Sequence, residues 1–222
     1  MDRPHAARPG RRRALLLVGP SGSGKTPLGE ELERGGLRSA RCVHFDFGAE
    51  LRRIAAGGDP GFSPAEAAFL AEVVAAGRLL EDEHFPLARR ILESFLAARG
   101  FAAGDICVLN GLPRHAGQAR DLEPVLDVRL VVHLSCPAEV AWERIRTDAG
   151  GDRSGRSDDD LEAVRRRLEL FRGRIAPLLG HYRARGVRVE EVAVGPQTTA
   201  ESARRSLEAV LAVPAAGSPF GS

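Results

Sequence analysis

Five short apolar runs punctuate the chain: 14–19 (ALLLVG), 41–46 (RCVHFD), 105–111 (DICVLNG), 128–135 (VRLVVHLS) and 187–194 (VRVEEVAV). Most are continuously apolar rather than alternating, the pattern of strands covered on both faces. Between them, apolar positions recur at helical spacing over 25–34, 64–76, 82–99, 137–147, 159–184 and 199–211. Helix starts are marked chemically. Ser63, Pro64 and Glu66 read as a capping box with proline in the first turn, and 158–164 (DDDLEAV) loads acids at an N-terminus. Strands alternating with helices predict an α/β protein, a three-layer sandwich around a five-stranded, doubly wound parallel sheet.

Two stretches interrupt that rhythm. Residues 47–80 read as a helical insertion after the second strand, and the polar, glycine-rich 148–157 (DAGGDRSGRS) has the composition of a flap. One globular domain over 14–212 is expected, with disordered tails at 1–13 and 213–222. There are no internal repeats.

Composition narrows the class. The 222 residues suffice for one domain with a sizeable core, and 43% hydrophobic with 28% charged residues is ordinary for a globular protein. A formal charge of +2 is not the footprint of a nucleic-acid binder. The one basic cluster, 8–13 (RPGRRR), reads as part of a solvated tail. Cys42, Cys107 and Cys136 are odd in number, widely spaced and each in an apolar run, which predicts buried free thiols in a reducing compartment. No apolar stretch near the start is long enough for a signal core or a membrane span, so a cytoplasmic protein without a membrane partner is expected.

Residues 19–26 (GPSGSGKT) match G-x-x-x-x-G-K-[ST] directly after an apolar strand and at the opening of a helix. In that context Gly19, Ser21, Gly22, Ser23, Gly24, Lys25 and Thr26 are candidate phosphate-binding residues. Backbone N–H groups would point at a phosphate on the helix N-terminus, Lys25 would reach the outer phosphates, and the Thr26 hydroxyl would hold Mg²⁺. Lys25 is the single lysine among 32 Lys plus Arg. A compact, flexible ammonium suits a tight backbone cradle that a planar guanidinium would overfill.

The segment 108–119 (VLNGLPRHAGQA) follows the third apolar run and resembles the Asp-Gly-(Phe/Tyr)-Pro-Arg…Gln element of the nucleoside monophosphate kinases, specifically the adenylate kinase family. Gly111, Pro113, Arg114 and Gln118 fit; Asn110 and Leu112 depart. Further blocks are similar to that family: 47–53 (FGAELRR), 77–83 (GRLLEDE), 155–171 (GRSDDDLEAVRRRLELF) and 176–182 (APLLGHY). The resemblance spans about 14–212 and implies a short-lid P-loop kinase, expected to be monomeric, that uses ATP and Mg²⁺ on a nucleoside monophosphate. It implies catalytic roles for Lys25, Arg114, Arg156 and Arg167. Arg144 would stack on the donor adenine with Arg153 nearby in the lid. Arg52, Leu80, Gly111, Arg114, Gln118, Arg156 and Arg167 would bind the acceptor, and the resemblance makes 47–80 an acceptor-binding insertion and 148–157 a lid loop. Gln118, an amide able to pair with the N1 and N6 edge of adenine, points to AMP. An arginine cluster around the transferred phosphoryl suits a reaction governed by positioning and electrostatics.

Three departures keep other readings open. Asn110 stands where the family's Asp anchors waters around Mg²⁺, and a neutral amide lacks the charge a hard cation prefers. Phe47 and Ala49 replace the family's Thr and Asp beside the acceptor. Asp46, ending the second run, could compensate near the metal or cap the next segment; shikimate and gluconate kinases carry an Asp there. A P-loop kinase of a non-nucleotide hydroxyl, or a catalytically weak ATP-binding protein, would also account for these residues. His44 and His133 read as strand residues in the core or at the sheet end, Trp142 as a packing anchor, and Arg146 and Arg165 as surface residues.

Overall fold

The computed structural model describes residues 10–76, 80, 82–149, 161–212 and 219–220. Its sheet holds five parallel strands, β1 (Arg12–Val18), β2 (Cys42–Asp46), β3 (Ile106–Asn110), β4 (Leu126–Ser135) and β5 (Arg188–Ala193). Their order is β2-β3-β1-β4-β5. Continuous apolarity has the expected cause: both faces are covered. In β1, Ala14, Leu16 and Val18 enter one core while Leu15 and Leu17 enter the other, and β3 divides the same way.

Five helices cover the first face: α2 (Phe47–Ala55), α3 (Pro64–Ala75), α4 (Phe85–Ala98), α5 (Ala116–Leu122) and most of α7 (Leu161–Ala184). The second face is covered by α1 (Lys25–Gly35), α6 (Ala138–Arg146) and α8 (Ala200–Ala212). The capping box at Ser63 and Glu66 forms as its spacing predicts, with Pro64 in the first turn of α3. Expected element positions agree within a few residues, but α5 was not among them. Its seven residues are too short for a periodic signal to emerge. A 3₁₀ turn at Asp82–His84 precedes α4 where one continuous helix was expected.

Of the segments expected as tails, residues 10–13 and 219–220 are described. β1 starts at Arg12, and Arg13 donates to the carbonyls of Gly104 and Phe220. Phe220 itself is packed into the second core. The three cysteines are free and buried, and burial pushes the Cys42 thiol up to about 12 and that of Cys136 to about 11, so they stay protonated at neutral pH.

α1 is held close to β2 by an absent side chain. A Cβ on Gly29 would lie 2.3 Å from the imidazole of His44, whose ring is buried with Nε2 unpaired. Gly29→Ala is therefore expected to destabilise the protein by about 1–3 kcal/mol, measured by chemical denaturation. Burial also holds His44, His133 and His181 below the usual histidine value of 6.5, against the opposing charges of Asp46 and Glu33, of Glu191, and of Glu123 respectively. The unfolded chain then takes up protons that the folded one refuses, so stability is full above pH 6.5 and falls as pH drops below it. Melting temperatures between pH 7.5 and 5 should show that decline, and His44→Asn should make it shallower.

Candidate active site

The site forms where the carboxyl ends of β1, β2 and β3 meet the N-terminus of α1, the crevice expected of an open α/β sheet. After Val18 the chain turns through Gly22 and Gly24, both at positive φ (82° and 88°), and Gly24 caps α1. α1 has no side-chain cap and no acid in its first turn, which leaves its N-terminal dipole for an anion. The loop is braced from within: the Ser23 hydroxyl, 2% exposed, donates to the Pro20 carbonyl at 2.9 Å. Lys25 curls back across the loop, and its Nζ donates to the carbonyls of Gly19 and Pro20 at 2.8 Å each.

Arg144 on α6 ties this loop to the rest of the domain. It is 5% exposed; Nε donates to Gly22 O at 2.9 Å, and Nη1 reaches the carbonyls of Gly195, Pro196 and Thr198 after β5. The guanidinium thus clamps two loops together.

On the other side of Lys25, three side chains close a hydrogen-bonded ring. Thr26 Oγ1 donates to Asp46 Oδ2 at 2.7 Å, and Asn110 Nδ2 donates to Thr26 Oγ1 and to Asp46 Oδ2, both at 2.9 Å. The remaining oxygen of Asp46 accepts from the Ala49 N–H at 2.9 Å, capping α2. Asp46 thus caps α2 with one oxygen, as one of its two expected roles required, and turns the other to Thr26 and Asn110.

Arg114 follows the cis Leu112–Pro113 bond at the end of β3. Its Nε donates to Gly111 O at 2.8 Å, and its backbone N–H donates to Gln118 Oε1 at 2.9 Å. Burial, and then the nearby charge of Arg174, push the Arg114 guanidinium below its usual range. Gln118 is 3% exposed, and its Nε2 donates to Leu80 O at 3.0 Å.

A cavity of about 470 Å³ joins these parts. Gly19, Ser21, Gly22, Gly24, Lys25, Thr26, Asp46, Arg52, Asn110, Gly111 and Arg114 all border it, so most of the expected residues share one space. Ser23, Leu80, Gln118 and Arg144 stand behind that lining. Arg153 and Arg156 lie outside the described residues, as does the side chain of Arg167 on α7. Phe47 is 3% exposed in the first core beside Phe45, so its departure from the family pattern is a packing change rather than a new acceptor contact. Ala49 is exposed.

The opposite wall was not anticipated. Leu168, Phe171, Ile175 and Leu178 of α7 border the cavity, together with Arg174. The i, i+3, i+7, i+10 spacing of these four apolar residues was the available signal. Arg174 had none of its own in a chain so rich in arginine. Among the described residues that line the cavity, Asp46 is the one acid facing Lys25, Arg52, Arg114 and Arg174. No group of three or more His, Cys, Asp or Glu able to cage a metal occurs among the described residues. One carboxylate beside a hydroxyl fits Mg²⁺, which keeps several waters and takes its other oxygens from phosphates.

The sheet order, the loop at the head of α1 and the cation-lined cavity define a P-loop nucleotide kinase. A family described as an AAA domain matches residues 15–165. The adenylate kinase of Synechococcus sp. (strain WH7803) is 34% identical over 207 residues, 90% of this chain and 100% of the relative. That of Xanthomonas campestris pv. campestris (strain B100) is 34% identical over 177 residues, 78% of this chain and 86% of its own. The adenylate kinase of Xylella fastidiosa (strain M23) is 32% identical over 186 residues, 82% and 91% respectively. The chain belongs to the adenylate kinase family. No helix among the described residues is long and apolar enough to cross a membrane.

A Cβ on Gly22 would meet the Ala141 carbonyl at 2.8 Å and Ile145 Cγ1 at 2.9 Å, at a positive φ that side chains disfavour. Gly22→Ala should cost about 1–3 kcal/mol of stability and weaken ATP binding. Denaturant melts and calorimetric titration of ATP would check both.

Proposed function

We propose that the protein transfers the γ-phosphoryl group of ATP to AMP, with Mg²⁺, giving two molecules of ADP. The observation that carries this reading is the continuity of the cavity. The phosphate loop with Lys25 lies at one end, Arg52 and Arg114 border the same space, and apolar α7 side chains form a wall. The names of the relatives point the same way. Arg156 and Arg167 are proposed members of the arginine cluster, on the family pattern alone.

The chemistry asks little of the protein beyond position and charge. An oxygen of the acceptor phosphate attacks the γ-phosphorus, and the bond to the β,γ-bridging oxygen breaks. Lys25 would leave the Gly19 and Pro20 carbonyls for the donor phosphates. Arg114, fixed through Nε on Gly111 O, keeps its remaining donors for the acceptor phosphate. Mg²⁺ would offset charge on the donor phosphates, held through Thr26. Gln118 retains one donor hydrogen and one acceptor lone pair, the set an adenine edge needs. Arg144 would offer its guanidinium face to the donor base after release from part of its carbonyl clamp, with Arg153 beside it from the lid. A short apolar wall and a closing lid would keep water from the transferred group.

ADP formation measured with AMP, GMP, CMP, UMP and dTMP tests the reading. AMP should lead, and folded protein inactive with all five would overturn it. Turnover of a sugar acid with none on AMP would favour the alternative that Asp46 suggests, transfer to a non-nucleotide hydroxyl. Lys25→Ala should lower turnover by about tenfold to a hundredfold or more, the loss of a charge-assisted hydrogen bond worth about 1.5–3 kcal/mol. Arg174→Gln should raise the acceptor KM several-fold with a smaller change in kcat, since Arg174 borders the cavity beside Arg114. Steady-state kinetics in both substrates would separate the two.

A further inference from the structure

The ring formed by Thr26, Asp46 and Asn110 is a strict arrangement of donors and acceptors. A carboxylate only accepts, so the Asn110 amide must turn its NH₂ toward Asp46, and that NH₂ donates to both Asp46 Oδ2 and Thr26 Oγ1. Thr26 gives its own hydrogen to Asp46. Thr26 Oγ1 is left with a lone pair and no proton to turn outward. Asp46 and Asn110 are also direct register partners on adjacent parallel strands, and both border the cavity.

We propose that this register pair holds one negative charge for the divalent cation of the phosphoryl donor, with Asp46 carrying the charge and Asn110 a positioning residue that aims it. The inference rests on the ATP-dependent reading above. Asp46 is the one acid among the described residues of the cavity wall, so no neighbour there duplicates it. A second carboxylate at position 110 would stand within hydrogen-bond distance of the first, and like charges so close do not both ionise readily. The pair therefore suits one charge, and the geometry allows it on either strand.

The test uses the whole chain and no acceptor. Calorimetric titration of ATP, with and without Mg²⁺, gives the factor by which Mg²⁺ tightens binding. Asp46→Asn keeps an oxygen for the Ala49 N–H and should reduce that factor roughly tenfold, the scale of losing one charge-assisted contact. The double exchange Asp46→Asn with Asn110→Asp returns the charge to the pair and should restore most of it. Asn110→Asp alone should, without Mg²⁺, melt at lower temperature as pH rises from 5 to 8, and Mg²⁺ should reverse the loss. An Asp46→Asn protein with the wild-type factor, or a double exchange no better than Asp46→Asn alone, would overturn the inference. Should Asp46→Asn fail to fold, Asp46→Ser retains a capping oxygen and carries the same comparison, alone and with Asn110→Asp. Wild-type ATP binding indifferent to Mg²⁺ would overturn this inference and the ATP–Mg²⁺ reading together. A normal Mg²⁺ factor with no turnover of any monophosphate would remove the acceptor assignment alone.

Discussion

Everything chemical in this molecule depends on parallel register. β2 is paired with β3 so that Asp46 faces Asn110, and β3 with β1 so that Asn110 faces Leu17, one residue before the strand delivers Val18 to the phosphate loop. Three chain segments distant in sequence thus end at one edge. A slip of one residue in either pairing would turn Asn110 to the other face of the sheet. The two buried apolar faces forbid such a slip, since Leu109 and Val108 would exchange cores. Hydrophobic packing is therefore what aims the polar groups.

Charge is distributed with the same economy. Many surface arginines meet carboxylates: Arg41 with Asp105, Arg53 with Glu50 and Asp59, Arg99 with Glu33, Arg165 with Glu139 and Glu162, Arg185 with Glu123. Such exposed pairs contribute little stability each, but they cancel field at a distance. Arg52, Arg114 and Arg174 share the cavity with Lys25 and, among the described lining residues, a single acid, Asp46, so positive charge outweighs negative there. Composition alone hides this, because a formal charge of +2 averages over both populations.

The parts legible in the sequence were those with a strict local grammar. Strand runs, the Ser63 capping box and residues 19–26 each follow from a short-range rule, and their places in the fold agree with it. The loop roles of Gly22 and Gly24 could be read because glycine adopts such positive φ angles with the least strain. What could not be read was direction. The ring of Phe47 lies in the core beside Phe45, Arg144 holds the carbonyls of two loops, and Gln118 is held by Arg114 and Leu80. Arg174 carried no local signature, since its placement comes from the packing of α7 across the sheet. Side-chain direction is decided by tertiary contacts, which one-dimensional patterns do not record.

The posture of Lys25 has its own consequence. With its ammonium on the Gly19 and Pro20 carbonyls, the loop already satisfies the cation that a nucleotide would claim. Arrival of phosphate is then an exchange of partners, in which an internal competitor must be displaced. The same two carbonyls can take the ammonium back when a phosphate leaves, so neither direction of the exchange strands the cation without oxygen partners.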